Sequence, residues 1–428
     1  MPLTFISLST LGALLGLTVT IILIIRKVEA AYAMMCGALI GGLLGGMNLV
    51  TTVDNMISGA QSMMPTIIRV LTSGVLAGTL IKSGAANQIA EKIISSLGEK
   101  RSILAIALST MILTAVGVFI DVATLTVAPI AISVGNKLKY SKYVLLIALI
   151  GGGKAGNMFS PNPNSIVIAE NFNISLSSVM LAGIIPGLVG LLVTILLATY
   201  IQKRYESKNL EFHAITESSS EIMTADLPTI LSSISGPLVV IFLLMLRPIA
   251  GINIDPLIAL PTGGLVGIFA MKKSPQVKEY LSFGLKKMMP VGILLIGTGT
   301  IAGVIKASQL QYDIIAMIEI LSLPEFLLAP IAGILASAAT ASTSAGSALA
   351  SSTFASTITQ VVSALSGAVM VHTGANVMDT LPHGSFFHIS ANSVNMNISS
   401  RMKLLPADIL IGFSTTLAAT LIYGLLLG

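Results

Sequence analysis

Asp121, Lys154, Asp379 and His383 are the ionisable residues closest to four places where long apolar stretches of this 428-residue chain are interrupted. Charge at membrane depth is costly, so such residues point to the holding of a charged solute or the exchange of a proton. Lys154 can meet a carboxylate, while Asp121, or Asp379 with His383, can carry a coupling proton. A plainer role is a buried ion pair, Asp121 with Lys154 for example, that only pins two segments together. His372 and His388 are weaker candidates, because a histidine on a membrane helix often does no more than hydrogen-bond to a neighbouring helix.

The four interruptions are GVFIDVATLT (117–126), GKAGNMFSPNPNS (153–165), SAATASTSAGS (337–347) and HTGANVMDTLPHGSFFH (372–388). They supply Asp121 and Thr124; then Gly153, Lys154, Gly156, Asn157, Ser160, Asn162 and Asn164; then Thr340, Ser342, Thr343 and Ser344; and finally Thr373, Gly374, Asn376, Asp379, His383 and Ser385. In GGGKAGNMFSPNPN (151–164) glycine and proline free backbone amides and carbonyls that need protein, water or a ligand as partner. Half-helices that begin at mid-membrane aim the positive ends of their dipoles into the centre, so they can hold an anion without a buried cation for each charge. The hydroxyls and amides suit a small, polyhydroxylated, anionic solute. The run Ala341 to Thr357 has a second possible role, since Ser, Ala and Gly stripes also serve close helix packing.

The elements around these breaks must be membrane helices. Hydrophobic residues make up 54% of the chain and charged residues 10%, with mean hydropathy +0.93, which a soluble domain of this size does not reach. The expected fold is an all-α polytopic membrane protein. The one cysteine, Cys36, rules out an internal disulfide framework and is expected to be packed. The net charge of +5 reads as loop lysines and arginines, not a nucleic-acid surface. No P-loop, HExxH or GxSxG pattern occurs, so no enzyme, metal or cofactor is expected.

At an offset of 225 residues, GAQSMMPTIIRVLTSGVLAG (59–78) overlies GLKKMMPVGILLIGTGTIAG (284–303), with eight of twenty positions identical; apolar bias alone gives about two or three. The chain divides into a first membrane repeat (1–201), a cytoplasmic linker (202–227) and a second repeat (228–428). Each repeat is expected to hold five spans, with an amphipathic stretch (Ala85 to Leu97; Tyr312 to Leu321), a re-entrant hairpin (Ser102 to Val134; Glu325 to Val362) and a broken span (Tyr143 to Ala169; Ala364 to Ala391). Five is odd, so the copies must be inverted. This arrangement puts 19 of the 23 basic residues on one side, Arg401 among them, and leaves Arg247 and Lys306 on the other. The first side is then cytoplasmic and both termini lie outside. Arg69 is expected to snorkel from its span, and Met63/Met64 with their repeats Met288/Met289 to pack in the core.

SGAANQIAEKIISSLGEKR (83–101), ILTAVGVFIDVATLTVAPIA (112–131) and GGGKAGNMFSPNPN resemble the gluconate permease family of proton symporters, within the wider ion-transporter superfamily. The resemblance implies a bacterial cytoplasmic (inner) membrane homodimer in which a transport domain moves like an elevator against a scaffold. It also implies a substrate framed by residues 121–124, 153–164, 340–344 and 373–385. Gluconate permeases usually carry a histidine in the proline-rich stretch, where this chain has Asn162 and Asn164, and LPHGSFFH (381–388) also differs. Other sugar acids, short hydroxy acids or a small amino acid are therefore open as substrates. Hairpin tips rich in Ser, Thr and Asn can also coordinate sodium, so the coupling ion is H+ with Na+ as the alternative. A channel is a further alternative.

Overall fold

The computed structural model describes residues 9–207, 227–310, 312, 313, 316, 320 and 324–427, and every regular element among them is helical. The first half holds α1 (Thr10–Ile25), α2 (Ala30–Leu44), α3 (Leu49–Ser62), α4 (Met64–Lys82), α5 (Ala85–Leu97), α6 (Ser102–Ala115), α7 (Ile120–Leu138), α8 (Lys142–Asn157), α9 (Pro163–Asn171) and α10 (Leu176–Ser207). The second holds α11 (Ile230–Ala250), α12 (Pro256–Ala270), α13 (Val277–Lys306), α14 (Leu328–Thr340), α15 (Thr343–Val361), α16 (Ala364–Gly374), α17 (Ser385–Ser393), α18 (Ile398–Met402) and α19 (Leu405–Ala419), which runs on as a π-helix, Thr420–Leu426. Apolar helices of this number make it an integral, multi-pass membrane protein. The amphipathic stretch Tyr312 to Leu321 and the linker beyond Ser207 lie largely outside the described residues.

Helices α1–α4 and α11–α13 pack mainly on one another, and the hairpins and broken spans form a second group around them. The axis of the first group is the crossing of α3–α4 with α13, and sequence dictates its closeness. A Cβ on Gly59 would lie 2.1 Å from the Gly299 carbonyl oxygen, and one on Gly284 would lie 1.9 Å from that of Gly74. Gly78 meets Gly284, and Gly303 meets Gly59. Low residue numbers on one helix meet high numbers on the other, so the helices run antiparallel, and the glycines identical between the copies are the ones that touch. With no hydrophobic drive between helices in lipid, backbone approach of this kind supplies the packing. The two copies are thus inverted about an axis near Ile67 and Gly292. Met63 and Met288 are buried on this seam, whereas their neighbours Met64 and Met289 are exposed, which corrects half of the expectation for the methionines.

The spans expected from sequence run from Ala30 to Val50 and from Met63 to Ile81 in the first repeat and from Met289 to Ile305 in the second; α3 falls between the first two, and α13 starts twelve residues before the third. Polar residues such as Asp54, Asn55 and Gln61 lower the hydropathy of α3, yet its Gly59 face packs on α13. Cys36 is exposed, not packed: it shares the outward stripe of α2 with Tyr32 and Ile40, while Gly37 and Gly41 face α1. The glycines of GGGKAGN do not break their helix either. Gly152 and Gly156 press on the Ala107 and Met111 carbonyls of α6, so α8 stays helical to Asn157 and the interruption spans residues 158–162. The other interruptions lie at 116–119, 341–342 and 375–384, within or beside the stretches expected from sequence.

Candidate functional site

Four helices begin at the interruptions, and their first turns meet. Phe119, Ile120 and Asp121 of α7, Asn162 and Asn164 of α9, Ser342, Thr343 and Ser344 of α15, and Ser385 and Phe386 of α17 line one cavity of about 170 Å³, with Asn157, Ala341 and Asp379. Two of these N-termini are capped by side chains. The Asn162 Oδ1 accepts from the amides of Asn164 (2.9 Å) and Ser165 (3.1 Å), and the Ser342 Oγ accepts from that of Ala345 (3.3 Å). The N-caps of α7 and α17, Phe119 and Gly384, offer no side-chain cap to the amides of those first turns. Gly384 is required there: a Cβ would lie 2.3 Å from the Ala341 carbonyl oxygen. Ala341 itself turns hairpin 2 at φ 47°, a left-handed conformation that costs an alanine about 1 kcal/mol.

Hydrogen bonds between hairpins and broken spans fix the wall. The Ser344 Oγ donates to the Asn164 Oδ1 (2.5 Å), joining the tip of hairpin 2 to the first broken span. The Thr343 Oγ1 donates to the Asp379 Oδ2 (2.6 Å), joining that tip to the second. The Ser160 Oγ donates to the Thr114 carbonyl (2.5 Å) and the Thr114 Oγ1 to the Gly153 carbonyl (3.1 Å), which ties hairpin 1 to the first broken span.

Lys154 is fully buried and outside the cavity wall. Its Nζ donates to the Asp379 Oδ1 (2.6 Å) and the Asn376 carbonyl (2.8 Å). The buried pair is therefore Lys154 with Asp379, not with Asp121, and it neutralises a carboxylate whose other oxygen holds Thr343. Asp121 is half-buried at the cavity and has no hydrogen bond or ion pair among the described residues. Of the other residues singled out by sequence, Gly153 packs on Ile120 and Gly374 on Pro330. The hydroxyls of Thr340 and Thr373 return to their own helices. Thr124 and the Asn376 side chain are buried without a side-chain partner among the described residues. His383 reaches the Ala339 carbonyl at 3.3 Å, and His388 reaches the Pro382 carbonyl at 2.8 Å. His372 is buried with its Nε2 unpartnered among the described residues, and among these neither His372 nor His388 makes the anticipated bond to a neighbouring helix.

Two charge clusters carry no warning in the sequence. Arg401, expected as a loop cation, is fully buried; it pairs with Asp408 (2.6 Å), donates Nε to the Ser390 Oγ (3.1 Å) and lies 4.9 Å over the Phe387 ring. Arg69 does not snorkel. It binds Asp255 through two nitrogens (3.0 and 2.7 Å) and Glu170 (2.5 Å), linking α4, the N-cap of α12 and the end of α9. The guanidinium holds the Asp255 carboxyl, in the loop before α12, below the usual carboxylate range. Partners 101 and 186 residues apart leave no local sequence signal for such pairs.

Residues 8–426 match the family model of the GntP family permeases. The chain belongs to that family. This GntP family permease is therefore a transporter and not an enzyme. It is 51% identical to an uncharacterized transporter of Haemophilus influenzae over 98% of this chain and 99% of that one. It is 25% identical to the high-affinity gluconate transporter of Escherichia coli K12 over 42% of this chain and 40% of that one, and 24% identical to the low-affinity gluconate transporter over 65% and 66%. The fold is also similar to that of the YdaH transporter of Alcanivorax borkumensis, at TM-score 0.64 and 14% identity, covering 89% of this chain and 90% of that one.

Proposed function

We propose that this permease carries a small hydroxylated organic anion, such as gluconate or a related sugar acid, together with a proton. The convergence of four helix N-termini on one cavity of about 170 Å³ carries this reading. Amide dipoles favour an anion there without a cation in the wall, and Asn157, Asn162, Asn164, Ser342, Ser344 and Ser385 offer donors and acceptors to hydroxyls. The gluconate transporters among its relatives support the same class of solute. Asp121 is the proton carrier, because an ionised carboxylate in the cavity repels an incoming anion and a protonated one does not. Asp379, held through one oxygen by Lys154 and through the other by Thr343, positions the hairpin tip. His383 is the remaining candidate for proton exchange.

The transport step is an elevator-type movement of the hairpins and broken spans against the α1–α4 and α11–α13 scaffold, in a homodimer of the bacterial inner membrane with both termini outside. The short first arms of the hairpins support re-entrance: α6 has 14 residues and α14 has 13, lengths of about 21 and 20 Å that each fall short of a hydrocarbon core of about 30 Å. Counterflow tests the solute class. Proteoliposomes loaded with unlabelled gluconate should transiently accumulate labelled gluconate, with competition by other sugar acids. Absence of counterflow with every sugar acid, and its presence with a neutral amino acid, would overturn the assignment. Coupling to sodium is the alternative that gradient experiments separate.

A further inference from the structure

The two ends of the moving unit are not treated alike. On the sidedness proposed above, α9 and α15 run from the cavity toward the outside, while α7 and α17 run from it toward the cytoplasm. The outer pair is pressed on the scaffold, α9 on α4 and α15 on α13. The inner pair packs chiefly on itself and its own unit, and it leaves Leu125, Ser133 and Lys137 of α7 and Ser385, His388 and Asn392 of α17 exposed. A histidine, an asparagine and a serine on one helix face are poorly suited to lipid, so that face lines an aqueous crevice. The cavity therefore opens inward, and the outer route is shut.

Arg69 stands at the shut end. Asp255 grips it through two nitrogens from within the scaffold, and its remaining nitrogen reaches Glu170 on α9, across the boundary between the two units. Outside this contact lies a cavity of about 260 Å³ lined by Arg69, Ile166, Glu170, Ser177, Arg247 and Asp255, among others. The repeat has no second copy of the device, because the position equivalent to Arg69 is Leu294. We infer that Arg69 and Glu170 form an ionic clamp that closes the outer gate, with no copy of it at the equivalent place in the second repeat. This makes them positioning residues: they bias which side the cavity faces and touch no substrate. The inference rests on the proposal that one unit moves against the other.

Cysteine labelling tests it without substrate. In a Cys36→Ser background, Ile166→Cys reports the outer route and Asn392→Cys the inner one. Glu170→Gln leaves the Arg69–Asp255 contact intact while removing the moving partner. For an ion pair of this partial exposure the expected change is about two- to fivefold. Labelling of Ile166→Cys by an impermeant maleimide from outside rises, and labelling of Asn392→Cys from inside falls. Glu170→Asp, which keeps the charge, shifts both less. Equal labelling with and without Glu170→Gln overturns the clamp, even if gluconate uptake is intact. Shifted labels without gluconate uptake uphold the clamp and overturn only the substrate reading.

Discussion

Replacing Asp121 by asparagine removes the cavity carboxylate that has no protein partner among the described residues, and leaves its size and its place in the first turn of α7 unchanged. In a cavity of about 170 Å³, a substrate carboxylate would sit on the order of 5 Å from Asp121, the separation taken for the Coulomb repulsion. At an effective dielectric constant of ~20, two unit charges at that distance repel by about 3 kcal/mol, roughly two orders of magnitude in affinity. Anion binding and ionisation of Asp121 thus oppose each other, so that proton uptake accompanies anion binding. In Asp121→Asn the repulsion and the proton are both gone. Calorimetric titration with gluconate in two buffers of different ionisation enthalpy should show proton uptake by the parent and none by the variant, whose affinity no longer improves as pH falls. Counterflow should survive, and concentrative uptake on a pH gradient should be lost. An Asp121→Asn protein that still concentrates gluconate, or still takes up a proton on binding it, would refute the reasoning.

Lys154→Met leaves Asp379 buried without its ion partner and should cost about 3–5 kcal/mol, whereas Lys154→Met with Asp379→Asn, which keeps a partner for Thr343, should recover most of the folded yield in detergent. Gly284→Ala places a methyl 1.9 Å from the Gly74 carbonyl oxygen and should cost about 1–3 kcal/mol, while Gly292→Ala on the same helix, 3.4 Å from a Leu71 methyl, should leave the melting temperature nearly unchanged. Ser344→Ala breaks the bond that holds Asn164, and should raise KM for uptake several-fold with little loss of folded protein. Cys36, on the outward stripe of α2, should react with a membrane-permeant maleimide in intact vesicles and resist an impermeant one.

The two broken spans are legible because proline beside polar residues, inside apolar sequence, interrupts the helix hydrogen bonding that lipid otherwise enforces, and the two hairpin tips because Asp121 and the run of hydroxyls at 337–347 interrupt apolar sequence. The inverted copies are legible because Gly59, Gly74 and Gly78 recur as Gly284, Gly299 and Gly303. Pairing across space is not. Sequence proximity to Lys154 favours Asp121, whereas the fold carries Asp379 to it from the other repeat. Arg69 escapes sequence reasoning in the same way, since Glu170 and Asp255 lie in different helices and loops. Glycine is the other source of error. In GGGKAGN it serves the approach of α8 to α6 within an intact helix, and periodicity alone does not separate that use from a break. Asn157, Asn162, Asn164, Ser342, Thr343, Ser344, Ser385, Asp121 and Asp379 come together as a cavity, whereas the apolar part of its wall, Phe119, Ile120 and Phe386, lies within the expected interruptions but is not distinguished there from ordinary membrane-helix residues.

Proton-coupled transport of an organic anion is tested most directly by uptake of labelled gluconate into proteoliposomes of the full chain, under an inward proton gradient, an inward sodium gradient and no gradient. Accumulation above equilibrium with the proton gradient alone, abolished by a protonophore, is the predicted result. Accumulation driven by sodium alone, or gluconate flux that only equilibrates under every condition, would contradict it.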